Sequence, residues 1–234
     1  MSPLTIVFDL DGTLVDTAPD LADTLNVVLK REGLAPVPYA KARTMIGGGA
    51  RRMIEAALAF EKRRPPAAEI DRMFNDFITH YAAHIADRSR PFPGVDAALD
   101  RLAAEDCIFA VCTNKLEGLS RLLLDTLGIS TRFAAICGQD TFGLHKPDPE
   151  ILRRTIVQAG GSVARAIMVG DSAADIETAR AAGVPIIAVE FGYTDTPVTL
   201  LGPDEVISHF ADLPQAVSVL AGRFTWAPLT NRLP

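Results

Sequence analysis

The sequence has few cysteines, and this shortage limits both its chemistry and its location. Only three of the 234 residues are cysteine: Cys107, Cys112 and Cys137. None of them has a Cys-x-x-Cys or Cys/His spacing typical of a metal site. Cys107 and Cys112 lie an odd number of residues apart on a predicted strand, so they point to opposite faces and do not pair. We therefore expect free thiols and a cytoplasmic protein.

The sequence also lacks segments that would direct the chain to a membrane or to nucleic acid. Its apolar runs are strand-sized, far short of the roughly 20 residues that cross a bilayer. The N-terminus, MSPLTIVFDLDG, has neither the basic region nor the long apolar region of a secretory signal. Lys and Arg number 23 against 29 Asp and Glu, and the net charge of −6 repels phosphate backbones. We expect neither a membrane nor a nucleic-acid partner.

What the chain does contain is a repeating pattern of apolar strands and amphipathic helices. Strand-like runs cover residues 4–8, 107–112, 133–137, 166–169, 186–189 and, more weakly, 206–207. Helix-period segments lie between most of them and end at Gly128, Gly160 and Gly183, while Asp148 and Pro149 mark a helix start. This alternation predicts an α/β fold with a doubly wound parallel sheet, covered by helices on both faces.

One stretch interrupts the alternation and shows only helical periodicity. Between residues 16 and 88 we find three apolar stripes, separated by prolines. The stripes are Leu21, Leu25, Val28 and Leu29; Met53, Ile54, Ala57 and Leu58; and Ile70, Met73, Phe74, Phe77, Ile78 and Tyr81. We predict an α/β core of residues 1–15 and 89–234, with an all-helical cap of residues 16–88 inserted after the first strand. The tail, residues 223–234, has little periodicity and suggests no role.

Acidic residues follow two of the predicted strands. Asp9 and Asp11 end the first strand, and Gly12 then allows a sharp turn. Asp171 and Asp175 follow a later strand and open a helix, where aspartate also serves simply as a cap. If the sheet brings both strand ends together, carboxylates 4 Å apart repel by about 4 kcal/mol per pair at an effective dielectric near 20. A cation would relieve this repulsion, and an all-oxygen donor set favours Mg²⁺ over Zn²⁺.

Two further segments offer groups that suit a phosphate. Thr113 and Asn114 end another strand with a hydroxyl and an amide, although the same residues also serve as a plain turn and helix cap. Lys146 directly precedes a helix start, where its ammonium and the free backbone N–H groups can face an anion. A lone lysine is more often solvated. Lys146, however, is predicted at the same sheet edge as the acidic residues, and this position favours the functional interpretation.

The predicted cap carries two weaker signals. Gly48 lies in a glycine run that opens a helix containing Arg51, which is either a carboxylate-binding site or a simple helix start with exposed arginine. Asp76, His80 and His84 recur every four residues on one predicted helix. We interpret this row as the polar face of an amphipathic helix rather than as a metal site.

The two acidic segments and the two phosphate-suited segments resemble, in their order along the chain, the four motifs of the haloacid dehalogenase superfamily of phosphohydrolases. They are the DxDGT run from Asp9, Thr113 at a strand end, Lys146, and the GDxxxD run that contains Asp171 and Asp175. The match covers nearly the whole chain. Finer features resemble the bacterial phosphoglycolate phosphatases: Asp16-Thr17, Gly47–Arg51, Pro91–Val95 and Phe191–Tyr193.

The resemblance implies roles for these residues. Asp9 is expected to be the nucleophile that forms an aspartyl-phosphate, and Asp11 the general acid and base. Thr113 and Lys146 are expected to stabilise phosphoryl charge. The expected Mg²⁺ ligands are the Asp9 carboxylate, the Asp11 backbone carbonyl and Asp171, with Asp175 in support. The expected substrate-binding residues are Thr113, Asn114, Lys146, Gly48 and Arg51.

The reaction implied by the resemblance is Mg²⁺-dependent hydrolysis of a small phosphorylated metabolite, with 2-phosphoglycolate as the best-matched substrate. A β-phosphoglucomutase-type phosphomutase, a pyrophosphatase and a sugar-phosphate phosphatase share the same motifs and stay open as alternatives. A non-catalytic phosphate-binding module is a further alternative, although pure binding does not require a general acid. We expect a monomer or a homodimer.

Overall fold

A computed structural model describes residues 3–222 of the chain. The elements in chain order are β1 (Thr5–Phe8), β2 (Val15–Asp16), α1 (Ala18–Arg31), α2 (Tyr39–Arg43), α3 (Ala50–Phe60), α4 (Ala67–Ala83), β3 (Arg90–Pro91), α5 (Val95–Ala103), β4 (Ile108–Cys112), α6 (Glu117–Thr126), β5 (Ala135–Cys137), α7 (Pro149–Gln158), β6 (Ala166–Gly170), α8 (Ala173–Ala182), β7 (Ile186–Val189), β8 (Glu205–Ile207) and α9 (Leu213–Ala221). None of the helices within residues 3–222 combines the length and apolar character that a bilayer span needs.

Six strands form one parallel sheet in the order β5-β4-β1-β6-β7-β8, which confirms the predicted doubly wound α/β class. Buried side chains pack on both faces of β1: Ile6 and Phe8 contribute to one hydrophobic cluster and Val7 to the other. The register sets Phe8 beside Val111 of β4 and Val169 of β6. Three neighbouring strands therefore end at the same edge of the sheet, where ligands bind in open α/β folds.

Helices α1–α4, here called the cap helices, fill residues 18–83, and no strand interrupts that fully described stretch. The predicted apolar stripes supply their buried faces, for example Leu25, Ile54 and Phe77, each fully buried. The division into a core of residues 1–15 and 89–234 and a cap of residues 16–88 stays a prediction. The tail, residues 223–234, lies outside the described residues.

Several elements differ from the sequence-based prediction. The short antiparallel pair β2–β3 and the helices α2, α5 and α9 were not anticipated, and β2 includes Asp16. The pair joins the two chain segments that lead into and out of the cap helices; two residues per strand are too few for an alternation signal. β5 begins at Ala135 rather than at Phe133, because a 3₁₀ turn over Ser130–Arg132 precedes it. The three cysteines are free.

Candidate active site

A tight turn directly after β1 places the first acidic pair. The backbone N–H of Asp9 still donates to the carbonyl of Val169 at 2.9 Å, so Asp9 extends the strand ladder by one residue. Gly12 then adopts a φ of +86°, which glycine tolerates best. A Cβ at Gly12 would also lie 2.6 Å from Oδ2 of Asp171. Glycine is therefore required here both by the turn and by the close approach of the second acidic segment.

The sheet edge brings Asp9, Asp171 and Asp175 together around Lys146. Each aspartate offers a carboxylate oxygen within 4.8 Å of the others, and all three are buried. The Nζ atom of Lys146 lies 2.9 Å from Oδ1 of Asp9 and 2.5 Å from Oδ1 of Asp175. With every group ionised, this cluster carries two net negative charges. The structure therefore brings the two distant acidic segments together at one sheet edge, as the sequence predicted.

Burial makes these charges costly. It raises the pKa of Asp9 to about 6, with the Lys146 ammonium opposing the change and the Asp175 carboxylate adding to it. Burial also raises the pKa of Asp171 to about 8, and the carboxylates of Asp175 and Asp9 add to the rise. For Lys146, burial alone would lower the pKa, but the same two carboxylates outweigh it and the net pKa rises. A buried, all-oxygen cluster with two excess negative charges fits a hard divalent cation.

Three neighbours hold Asp171 in place. The Thr13 hydroxyl donates to its Oδ1 at 2.9 Å, and the backbone N–H of Tyr193 donates to its Oδ2 at 2.8 Å. A Cβ at Gly192 would lie 2.1 Å from the Cβ of Asp171, so only glycine allows the loop after β7 to come this close. Sequence reasoning gave Gly192 and Tyr193 no role, although both lie in the run noted as a family likeness.

Asp175 caps a helix and also contacts Lys146. Its Oδ2 accepts hydrogen bonds from the Ser172 hydroxyl at 2.6 Å and backbone N–H at 3.0 Å, and the two residues form a capping box at the start of α8. Its Oδ1 faces Lys146. Both carboxylate oxygens of Asp175 are therefore engaged by neighbouring residues.

Asp11 is paired with a lysine that sequence reasoning passed over. The Lys115 ammonium donates to both carboxylate oxygens of Asp11, at 2.7 and 3.0 Å, and the Thr17 hydroxyl donates to Oδ1 at 2.7 Å. Lys115 also lies 4.6 Å from the ring centre of Tyr81 on α4. The contact joins residues 104 positions apart, so no local periodicity could have indicated it.

Thr113 and Asn114 follow β4 at the same edge. The backbone N–H of Thr113 donates to the Cys137 carbonyl at 3.0 Å, and its side-chain oxygen accepts from the Lys115 N–H at 3.2 Å. Oδ1 of Asn114 accepts from the Lys146 N–H at 2.8 Å, and Nδ2 donates to the carbonyls of Lys146 and Gly47 at 3.3 and 3.1 Å. The Asn114 amide therefore fixes the Lys146 backbone and contacts the loop before α3.

A cavity between the sheet edge and the cap helices is lined by some of these groups, whereas Asp171, Asp175 and Lys146 are not among its lining residues. The sheet side contributes Asp9, Asp11, Thr113, Asn114 and Lys115 to its lining. The facing wall is largely apolar and comes from Leu21, Ile46, Gly47, Gly49, Ala50, Met53, Phe74, Phe77, Ile78 and Tyr81. Gly49, at φ +86°, lets α3 begin close to Asn114, where a Cβ would meet the Asn114 carbonyl at 3.0 Å.

Gly48 and Arg51, predicted to bind substrate, are not among the residues that line this cavity. Arg51 is 44% exposed, forms an ion pair with Asp71 on α4, and lies over the ring of Phe74 at 5.4 Å. A Cβ at Gly48 would lie 2.8 Å from Cδ of Arg52. The structure therefore does not bring the predicted cap residues to the acidic cluster.

The row of polar residues on α4 lies away from the cluster. His80 and His84 stack with ring centres 4.5 Å apart, and His84 also contacts Asp87 at 2.8 Å. Asp76 faces Arg31 at 3.8 Å. These are contacts of a polar helix face, as interpreted from the spacing.

Comparisons with known proteins show which proteins the chain is similar to. The model of the haloacid dehalogenase-like hydrolase family matches residues 6–189. A phosphoglycolate phosphatase of Mesorhizobium japonicum is 51% identical over 90% of this chain and 92% of its own. One from Agrobacterium fabrum is 51% identical over 93% of each chain. The crystal structure of a predicted phosphoglycolate phosphatase from Haemophilus somnus superposes with a TM-score of 0.85 at 30% identity, covering 92% of this chain and 98% of that chain.

Proposed function

Because the chain belongs to the haloacid dehalogenase-like hydrolase family and is a phosphomonoester hydrolase, we propose that it hydrolyses 2-phosphoglycolate to glycolate and phosphate with the help of Mg²⁺, in the cytoplasm. The observation that carries the proposal is the position of Asp9. Its carboxylate lies in the cavity lining beside Thr113 and Asp11, and within the cluster formed by Asp171, Asp175 and Lys146. The name shared by the two relatives supports the choice of substrate.

Asp9 is the proposed nucleophile. Its carboxylate oxygen attacks phosphorus in line with the leaving oxygen; the new O–P bond gives an aspartyl-phosphate, and the bond to the glycolate oxygen breaks. Asp11 protonates the departing oxygen and then takes a proton from the water that attacks the aspartyl-phosphate. The second step releases phosphate and regenerates Asp9. Both carboxyl groups line the same cavity, as the scheme requires.

The residues proposed to hold Mg²⁺ are the carboxylates of Asp9 and Asp171 and the backbone carbonyl of Asp11, with Asp175 in support. When bound, the ion supplies positive charge for the phosphoryl oxygens. Thr13 and Tyr193 already direct the two Asp171 oxygens by hydrogen bonds. These contacts restrict the Asp171 side chain.

Lys146 and Thr113 are proposed to bind the phosphoryl group. Lys146 is buried against Asp9, so its ammonium is held 2.9 Å from one carboxylate oxygen of the proposed nucleophile. Asn114, which holds the Lys146 backbone, is proposed to position that lysine. The cap helices close the apolar side of the cavity, and we propose that they act as the cap of a two-domain enzyme, residues 16–88 on a core of 1–15 and 89–234.

A substrate panel tests the function. We expect phosphate release from 2-phosphoglycolate with a higher kcat/KM than from 2-hydroxyethyl phosphate, glucose 6-phosphate or pyrophosphate. Excess chelator should abolish the activity and added Mg²⁺ should restore it. Interconversion of glucose 1-phosphate and glucose 6-phosphate, activated by a sugar bisphosphate, would instead favour a phosphomutase. If none of the panel releases phosphate, the proposal is wrong.

A further inference from the structure

The cavity has one cationic side chain in its described lining, and that side chain is Lys115. A substrate that carries a carboxylate beside its phosphate must place a second anion in this largely apolar space. Leaving a carboxylate unpaired there would be unfavourable, because burial removes the water that solvates its charge. Lys146 is committed to Asp9 and Asp175 at the cluster. Arg51 is on the surface with Asp71.

Tyr81 adds an unused hydrogen-bond donor at the same place. The side chain is fully buried, it lines the cavity, and its hydroxyl has no hydrogen-bond partner among the described residues. A buried hydroxyl without a partner is destabilising, and a ligand that accepts its hydrogen bond would remove this cost. Burial raises the pKa of Tyr81 well above its usual value, so the hydroxyl keeps its proton. Its ring also lies 4.6 Å from the Lys115 ammonium.

We propose that Lys115 and Tyr81 form the subsite that recognises the substrate carboxylate, and that the Lys115 ammonium passes from Asp11 to that carboxylate when the substrate binds. The inference rests on the proposed function. Without a second anion, the ammonium holds both oxygens of Asp11. A substrate carboxylate offers Lys115 an equivalent partner and frees the Asp11 side chain to face the leaving oxygen. A phosphoester with a neutral tail leaves the Asp11–Lys115 pair closed.

The test compares two substrates of similar size on the same enzyme preparation: 2-phosphoglycolate and 2-hydroxyethyl phosphate. The measured quantity is the ratio of their kcat/KM values, in which the fraction of folded enzyme cancels. For Lys115→Met we expect the ratio to fall by about 10- to 100-fold, the range for losing a charge-assisted hydrogen bond. Part of the fall should come from a higher KM for 2-phosphoglycolate, and part from a higher kcat/KM for 2-hydroxyethyl phosphate, because Lys115→Met also frees Asp11. Lys115→Arg, which keeps the charge, should recover part of the ratio.

Tyr81→Phe is the second variant, and it leaves the Asp11–Lys115 pair in place. Because it removes a hydrogen bond that the hydroxyl would donate to an ionised carboxylate, we expect the ratio to fall by about 10-fold or more. Lys41→Met, an exposed change of the same kind on α2, is the matched control and should leave the ratio unchanged.

The outcomes separate this inference from the proposed function. If the wild type discriminates but Lys115→Met and Tyr81→Phe both keep its ratio, the subsite is wrong and the substrate assignment stands. Equal losses on both substrates in Lys115→Met, with an unchanged ratio, likewise reject the subsite and leave Lys115 as a partner of Asp11 alone. If the wild type shows no preference for 2-phosphoglycolate, the substrate assignment fails and the subsite fails with it.

Discussion

The backbone N–H of Tyr193 donates a hydrogen bond of 2.8 Å to Oδ2 of Asp171. The hydroxyl of the same tyrosine donates to Asp16 at 2.7 Å and accepts from the N–H of Ala18 at 2.9 Å. One residue therefore connects a member of the acidic cluster to the start of α1, where the chain leaves the sheet for the cap helices. This contact depends on the close approach of Gly192 to Asp171.

Gly192→Ala should disrupt the site by displacing Asp171. The new methyl group would lie 2.1 Å from the Asp171 Cβ, far inside van der Waals contact, so the loop or the aspartate must move. We expect activity to fall by at least ~10-fold and the Mg²⁺ concentration for half-maximal thermal stabilisation to rise. Gly118→Ala is the matched control: it lies in α6 with open space around it and should stabilise the protein by about 0.5–1 kcal/mol. Equal Mg²⁺ responses in the two variants would contradict the prediction.

Lys146→Met should be strongly destabilising as well as inactive. The ammonium is the cation within 3 Å of both Asp9 and Asp175, whose side chains are at most 5% exposed. Breaking a buried ion pair from one side costs about 3–5 kcal/mol, because the remaining charges are left unpaired. Urea unfolding in excess chelator measures this loss. The double variant Lys146→Met/Asp175→Asn should regain part of the lost free energy of unfolding. If it regains none, the unpaired Asp175 carboxylate is not the source of the loss.

The fold was largely predictable because its determinants are local. The strand-sized apolar run before Asp9, and the helix that begins at Asp148 and Pro149, carry their own signals in pattern and capping. The Asp148 side chain indeed accepts a hydrogen bond from the N–H of Glu150. The pair β2–β3 was missed because a strand of two residues is too short to show an alternating pattern. Each strand is recognised only by its hydrogen-bonded pairing with the other.

The acidic cluster was predictable for a different reason. Asp9 and Asp171 each follow a strand, and parallel strands of a doubly wound sheet end at one edge, so topology alone brings them together. No comparable rule predicts the positions of Lys115 and Tyr81. Tertiary packing determines where the cap helix that carries Tyr81 lies. The apolar stripe of that helix predicts that Tyr81 is buried, but not which residues it contacts. Sequence spacing therefore located the proposed phosphoryl site and not the far end of the cavity.

Asp9→Asn and Asp11→Asn should differ in how much activity remains. We expect Asp9→Asn to show no turnover, because an amide does not form the acyl phosphate. Asp11→Asn should retain a rate lower by about 10²–10⁴-fold, the usual contribution of general acid–base catalysis. Phosphate release and acid-quench trapping of phosphorylated enzyme measure both steps. Full activity in Asp9→Asn, free of wild-type contamination and deamidation, would falsify the covalent scheme.

His80 should make the protein less stable at acid pH. Burial lowers its pKa below 6.5, and the neighbouring His84 and Arg31 lower it further, while Asp87 and Asp23 oppose them. The unfolded chain therefore binds the proton first as pH falls through 6.5, and stability is lost until pH drops below the native pKa. The free energy of unfolding of His80→Gln minus that of the wild type should therefore be larger at pH 5 than at pH 8. A pH-independent difference would contradict this.

Arg51→Met distinguishes the carboxylate site predicted from the sequence, at Arg51, from the one proposed from the structure, at Lys115 and Tyr81. The sequence predicted that Arg51 binds the substrate carboxylate, whereas its guanidinium pairs with Asp71 at the surface, with both side chains more than 40% exposed. Exposed ion pairs contribute about 0–1 kcal/mol, so Arg51→Met should change the free energy of unfolding only slightly. The preference for 2-phosphoglycolate over 2-hydroxyethyl phosphate should stay within about twofold of wild type, because a group outside the cavity has no direct contact with the substrate. If Arg51→Met instead abolishes that preference while Lys115→Met preserves it, then Arg51 must reach the substrate in a cap position different from this one.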